Sequence, residues 1–311
     1  MKSSIQPHRH SAVLPARCVP PPSLVLALCV ACSGAPAHTD TTAPAHAFTP
    51  TAFSVKVAGT GRPVILIPGL ACGGSVWDGT VAHLGDKVQT HVLTLAGFAG
   101  QPAIPPPFLA TVHDQLVEYI KANKLVRPIV IGHSLGGVMA LWLAETDPDV
   151  GAVIDVDGLP FLAAVTDDAV TPDKAKEGAA QMQQQIASMP AGALPKMMRQ
   201  FMTSMITKPD DLDHTMVDVE KSDPTTIGQA FYDLFTLDLR PQLATIKVPL
   251  LVVAAGDNGE HSDTTPALWH KQLDAVPHVD LHVVAGAKHF VMLDTPDEFY
   301  SLVDGFLAKA R

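Results

Sequence analysis

The chain has 311 residues, of which 47% are hydrophobic and 17% charged, with a net charge of −10. That is enough apolar material for one large domain, or for a core domain carrying an insertion, and it excludes a disordered chain. Beyond the first residues there is no Lys/Arg-rich run, so the basic face that nucleic acid binding needs is missing and nucleic acid is excluded as a partner.

The N-terminus reads as a targeting segment. Lys2, Arg9 and Arg17 form a positive leader, Leu24 to Ala31 is a short apolar run, and Ala35-Pro36-Ala37 fits a signal-peptidase site. The run is far below the ~20 residues that a bilayer-spanning helix needs, so no stable membrane span is expected. Residues 1–37 are therefore expected to be a signal peptide and the protein to be exported, periplasmic or secreted. A lipoprotein attached through Cys32 is the minority alternative. Removal of residues 1–37 takes away Cys18, Cys29 and Cys32 and leaves Cys72 alone, so no internal disulfide is expected. Residues 38–50, rich in Thr, Ala and Pro, read as a linker.

From Phe53 the chain alternates between short apolar runs and helix-like stretches. The predicted strands are Phe53–Val57, Val64–Ile67, His91–Leu95, Ile129–Gly132, Ala152–Val156, Leu250–Ala255 and Leu281–Val284. Most are continuous β-branched or Leu-rich runs, the pattern of strands buried on both faces of a parallel sheet. Helices are predicted at Phe108–Asn123 and Leu135–Glu145. The alternation predicts an α/β fold with a doubly wound, mostly parallel sheet, whose chemistry belongs in the loops beyond the carboxyl ends of the strands. Residues 159–247 break the rhythm with no convincing strand and hold seven of the ten Met residues. They read as a helical cap inserted into a core of residues 51–158 and 248–311. Most of those Met residues are expected to fill core, with two or three lining a substrate pocket.

The most informative stretch runs from Arg127 to Gly137: a buried strand, then Gly132-His133-Ser134-Leu135-Gly136, then a helix. A sharp strand-to-helix turn strains the serine backbone and leaves no room for flanking side chains, which the two glycines remove. It lifts the Ser134 hydroxyl to a helix N-terminus, where developing negative charge is favoured. A serine needs a base. Of the 14 His residues, His8, His10, His38 and His46 lie in the leader or linker, and His133 packs beside the turn. His289, in Gly286-Ala287-Lys288-His289-Phe290 after the last strand, stands on a loop from which an imidazole can reach the serine. The oxyanion donors expected are the amide of Leu135 and, from the Gly-rich loop Pro68 to Gly74, the amide of Leu70. Cys72 is read as a loop residue and not as a nucleophile.

From about Phe53 to Phe306 the chain resembles the α/β-hydrolase superfamily, in its group of capped esterases, lipases and C–C hydrolases. The resemblance rests on the loop at Pro68-Gly69, the turn at Ser134, the long insert after Ala152–Val156, and Gly-x-x-His-Phe at 286–290. It implies Ser134 as nucleophile, His289 as general base, and Leu70 and Leu135 as oxyanion amides. The acid is ambiguous. The position the family usually uses is occupied here by Gly259; Asp257 is the nearest carboxylate and first choice, Glu260 second, and Asp157 after the preceding strand third. Loop Leu95 to Gly100 also departs from the family's usual Asp-x-Pro-Gly-x-Gly.

These readings imply a serine hydrolase acting on carboxylic esters of a small apolar acyl substrate, through an acyl-enzyme and with no metal or organic cofactor. Alternatives are a C–C bond hydrolase or an iminopeptidase on the same fold, the latter using cap carboxylates among Asp210, Asp211, Asp213, Asp218 and Glu220, and a non-catalytic binding protein.

Overall fold

The computed structural model describes residues 48–165, 167, 169–190, 192–257 and 265–310. The expected leader over residues 1–37, Cys32 within it, most of the expected linker, and Glu260 lie outside the described residues.

Seven strands form one sheet: β1 (Phe53–Gly59), β2 (Arg62–Ile67), β3 (Val88–Leu95), β4 (Ile129–His133), β5 (Ala152–Val156), β6 (Leu250–Ala255) and β7 (Val279–Val284), in the order β1-β3-β2-β4-β5-β6-β7. All neighbours are parallel except β1, which runs antiparallel to β3. The reversal of order about β2 makes the sheet doubly wound and places β4 and β5 at its centre. Their residues are entirely buried, as their unbroken apolar runs require. β1 is an edge strand, with Ser54 and Lys56 exposed on one face and Val57 half exposed on the other. The alternation of Phe53-Ser54-Val55-Lys56 puts the two polar side chains on the open face.

Helices α1 (Asp78–Leu84), α2 (Phe108–Ala122) and α3 (Leu135–Thr146) precede β5. In α3 every residue from Leu135 to Leu141 is buried. A helix apolar on all sides belongs inside the molecule, and this one is packed against β4, β5 and the helices around them. After β6 come α8 (Thr265–Gln272), α9 (Val291–Asp294) and α10 (Pro296–Lys309).

Between β5 and β6 the described residues hold four α-helices and no strand: α4 (Pro172–Ala187), α5 (Ala193–Thr203), α6 (Pro209–Val219) and α7 (Pro224–Thr236). Proline opens α4, α6 and α7, where a missing N–H costs nothing, and the Asp223 carboxylate caps α7 by accepting the Thr226 N–H at 2.7 Å. Gly228 allows α7 to lie close on α4, since a Cβ there would come within 2.7 Å of the Gln183 carbonyl oxygen. The fold is thus a doubly wound, mostly parallel α/β sheet with an inserted helical cap. No helix among the described residues is long and apolar enough to cross a membrane.

Candidate active site

Strand β4 ends at His133, α3 begins at Leu135, and the whole turn between them is Ser134, with φ 54° and ψ −117°. A left-handed φ on a side-chain-bearing residue costs on the order of 1–3 kcal/mol and persists only where its surroundings enforce it. Here the Ser134 N–H donates to the Val156 carbonyl at 2.8 Å, and the Ser134 carbonyl accepts the Val138 N–H at 3.0 Å. The flanking glycines leave no alternative residue: a Cβ on Gly132 would lie 1.9 Å from the Gly136 carbonyl oxygen, and one on Gly136 2.2 Å from that of Ile67.

His289 lies 132 residues from Asp157, and the two meet: His289 Nδ1 donates to Asp157 Oδ2 at 2.6 Å. The other Asp157 oxygen accepts the Ala255 N–H at 2.9 Å. Both side chains are largely shielded, Asp157 at 7% exposure and His289 at 20%. With Nδ1 carrying the proton, Nε2 is the ring atom with a free lone pair.

Ser134, Asp157 and His289 line a cavity of about 510 Å³, together with Leu135, Val138 and Leu159. Ser134 and His289 also line an adjoining chamber of about 120 Å³, walled by Leu70, His133, Phe201, Met202, Met205 and Phe231. Ser134 and His289 make no direct hydrogen bond among the described contacts. Leu135 lines the larger cavity and Leu70 the smaller, and Ser134 lines both. Of the cap methionines, Met202 and Met205 reach the small chamber, whereas Met198 and Met216 are buried in the core.

The carboxylate on the imidazole is that of Asp157 and not Asp257. Asp257 donates its main-chain N–H to the Ala287 carbonyl at 2.9 Å, so the chain after β6 runs along the 284–287 turn and its side chain is left in solvent. Asp157 ends β5, directly beside β4, with its own N–H bonded to the Val253 carbonyl. That position aims its carboxylate across the top of the sheet.

Two buried groups lie beside these residues: Asp155, which carries no signal in the sequence, and His133, which packs beside the turn as expected. Asp155, inside β5, has one oxygen accepting the Gly158 N–H at 2.8 Å and the other without a partner. Burial, reinforced by the nearby Asp157 charge, raises its pKa well above the usual carboxylate range. The neutral form of Asp155 is thereby favoured over its carboxylate. His133 is fully buried, and its Nε2–H donates to the His289 carbonyl at 3.0 Å. Burial, then the neighbouring His289, pushes its pKa well below 6.5, so it is neutral and steadies the His289 loop without adding charge. Its ring packs 4.3 Å from that of Phe290, centroid to centroid. The Cys72 thiol is pushed up to about 12 by burial and by Asp218, which removes the thiolate a nucleophile needs.

Residues 64–302 match the sequence model of the Alpha/beta hydrolase family. The chain belongs to the alpha/beta hydrolase family. Its relatives within that family include the pimeloyl-[acyl-carrier protein] methyl ester esterase of Vibrio atlanticus, 25% identical over 81% of this chain and 97% of the relative. The biotin biosynthesis bifunctional protein BioHC of Cellvibrio japonicus is 27% identical over 79% of this chain, which spans only 47% of that longer protein. Among solved alpha/beta hydrolase structures, the enol-lactonase from Burkholderia xenovorans LB400 superposes with a TM-score of 0.68 at 18% identity, covering 82% of this chain and 96% of the lactonase. At that identity the likeness speaks for the fold alone. In this alpha/beta hydrolase the sequence-expected Ser134 and His289 line both chambers, Leu135 the larger and Leu70 the smaller, and Asp257 lines neither.

Proposed function

We propose that this alpha/beta hydrolase cleaves carboxylic esters through an acyl-enzyme formed on Ser134. The observation that carries the reading is the 2.6 Å hydrogen bond from His289 to Asp157 at the wall of a cavity that Ser134 also lines. Asp157 holds the Nδ1–H tautomer and stabilises the imidazolium, and His289 Nε2 takes the Ser134 proton as the hydroxyl attacks the ester carbonyl. The amides of Leu135 and Leu70 receive the oxyanion. The alcohol leaves with the proton from His289, and water activated by the same imidazole then releases the acid. The relatives named as methyl ester esterases support an ester as the substrate.

The chamber walls favour an apolar acyl group: Leu162, Met205 and Leu234 are common to both chambers. An iminopeptidase would need cap carboxylates at the site. Instead Asp213 pairs with Arg199 at 2.6 Å, Asp218 binds the loop at Gly73, and no acidic cap residue lines either chamber among the described residues. Export rests on the leader read from residues 1–37. N-terminal sequencing of protein recovered outside the cytoplasm should give His38 as the first residue; recovery of uncleaved cytoplasmic protein would contradict it.

Hydrolysis of p-nitrophenyl and methyl esters by wild type and Ser134→Ala tests the activity. Wild type should turn over short and medium acyl esters, and the variant should lose at least about 10⁴-fold in kcat/KM. Equal rates in the two proteins would overturn the reading.

A further inference from the structure

The cap reaches the core at one point where it grips the loop that carries Leu70. Asp218, at the end of α6, accepts the Gly73 N–H at 3.2 Å and the Ser75 hydroxyl at 2.5 Å through the same carboxylate oxygen, Oδ2. Ser222, buried four residues on, accepts the Ala99 N–H at 2.9 Å. Its hydroxyl also lies within donating distance of the carbonyls of Ala71 (3.1 Å) and Asp218 (2.9 Å). The loop is shaped for this contact. A Cβ on Gly73 would lie 2.6 Å from Asp218 Oδ2 and 2.9 Å from the Ala99 Cβ, so only glycine admits the carboxylate. On the core side Gly74 is tied down by its N–H to Thr94 Oγ1 at 2.9 Å.

Ala71 is the reason the grip bears on chemistry. It has φ 59°, a left-handed conformation that an alanine does not hold without outside constraint. It directly follows Leu70, so the kink at Ala71 fixes the path of the loop immediately beside the Leu70 amide. The Ser222 hydroxyl at the Ala71 carbonyl and the Asp218 carboxylate at Gly73 are the cap groups that bracket this kink.

We propose that Asp218 and Ser222 are positioning residues that hold the 69–75 loop, and with it the Leu70 amide, in the geometry needed to receive the oxyanion, so that the cap completes the catalytic site as well as roofing it. The inference rests on the ester-hydrolase reading for its catalytic half. It assigns the cap a part in transition-state stabilisation separate from substrate binding.

The test compares wild type with Asp218→Ala, Asp218→Asn, Ser222→Ala and the exposed-cap control Asp210→Asn, using p-nitrophenyl esters, a trifluoromethyl ketone as tetrahedral-adduct former, and the carboxylic acid product as ground-state ligand. Asp218→Ala and Ser222→Ala should lower kcat by about 10- to 100-fold, the scale of a misplaced catalytic group, with KM changed less than about threefold. They should weaken the ketone by a similar factor and leave the affinity of the acid unchanged. Asp218→Asn keeps an oxygen acceptor and should recover most of the loss. A fall in melting temperature with kcat and ketone affinity intact would reduce the pair to a structural link and overturn the proposal. Amide hydrogen exchange reads the grip without relying on activity: residues 69–76 should exchange faster in Asp218→Ala while β4 and β5 do not change. Unchanged exchange in that loop overturns the proposal even if activity falls. An inactive wild type whose loop loosens as expected would place the fault in the ester-hydrolase reading, leaving the grip established and its catalytic role refuted.

Discussion

Asp157 and Asp257 stand at the ends of adjacent strands, β5 and β6, yet only Asp157 meets an imidazole. The proposed mechanism makes their substitutions unequal. Asp157→Asn should reduce kcat by about 10³- to 10⁴-fold, because an amide oxygen or nitrogen at that site no longer fixes the working tautomer and cannot offset the imidazolium charge. Asp257→Asn should stay within about twofold of wild type. Parallel ester kinetics decide between them, and a larger loss in Asp257→Asn would contradict the assignment. The proposed nucleophile and base were legible because each carries a local mark. Gly-x-Ser-x-Gly follows an apolar run, and a histidine follows the last strand. The acid was not, since a sequence shows where strands end but not which way the following turn aims its carboxylate. Asp155 was hidden for a related reason: the sequence does not show that a carboxyl inside a strand is buried with one oxygen unpartnered.

At the scale of elements, the cap and the sheet contribute different walls. The small chamber is closed by Phe201 and Met202 on α5 and Phe231 on α7, over Leu70 and His133 from the core. A chamber of about 120 Å³ holds only a few heavy atoms, so on the proposed mechanism an ester group seated there is a short one. Phe231→Ala should extend the chain length accepted on that side by two or more carbons, read from kcat/KM across series of esters lengthened at the acyl and at the alcohol end. An unaltered profile in both series would show that the chamber is not used. The insert was legible as a gap in strand rhythm filled with Met and helix formers. Its contact with the core was not, because Asp218 and Gly73 lie 145 residues apart and nothing local in either marks the pairing.

Across the whole molecule, buried ionisable groups make stability depend on pH in opposing ways. Glu145 has its pKa raised to about 8, by burial first and by Asp238 second, and burial raises Asp155 well above the usual carboxylate range. In the folded protein these carboxyls keep protons that the unfolded chain has already released, so their contribution to stability falls as pH rises from about 4.5 towards 8. His133 acts in the other direction. Its folded pKa is depressed, so below about 6.5 the unfolded chain binds a proton that the folded site refuses, and stability falls as pH drops. Glu145→Gln should therefore raise the melting temperature by a few degrees at pH 8 and by less at pH 5, followed by circular dichroism. An equal gain at both pH values would show that Glu145 does not hold its proton.

Covalent capture bears most directly on the central claim that one hydroxyl, activated from a distant loop, does the chemistry. Wild-type protein treated with a fluorophosphonate and mapped by peptide mass spectrometry should carry a single adduct on Ser134, and His289→Ala should slow its formation by at least about 10³-fold. An adduct on another residue, or labelling of Ser134 at the same rate without the imidazole, would contradict the account.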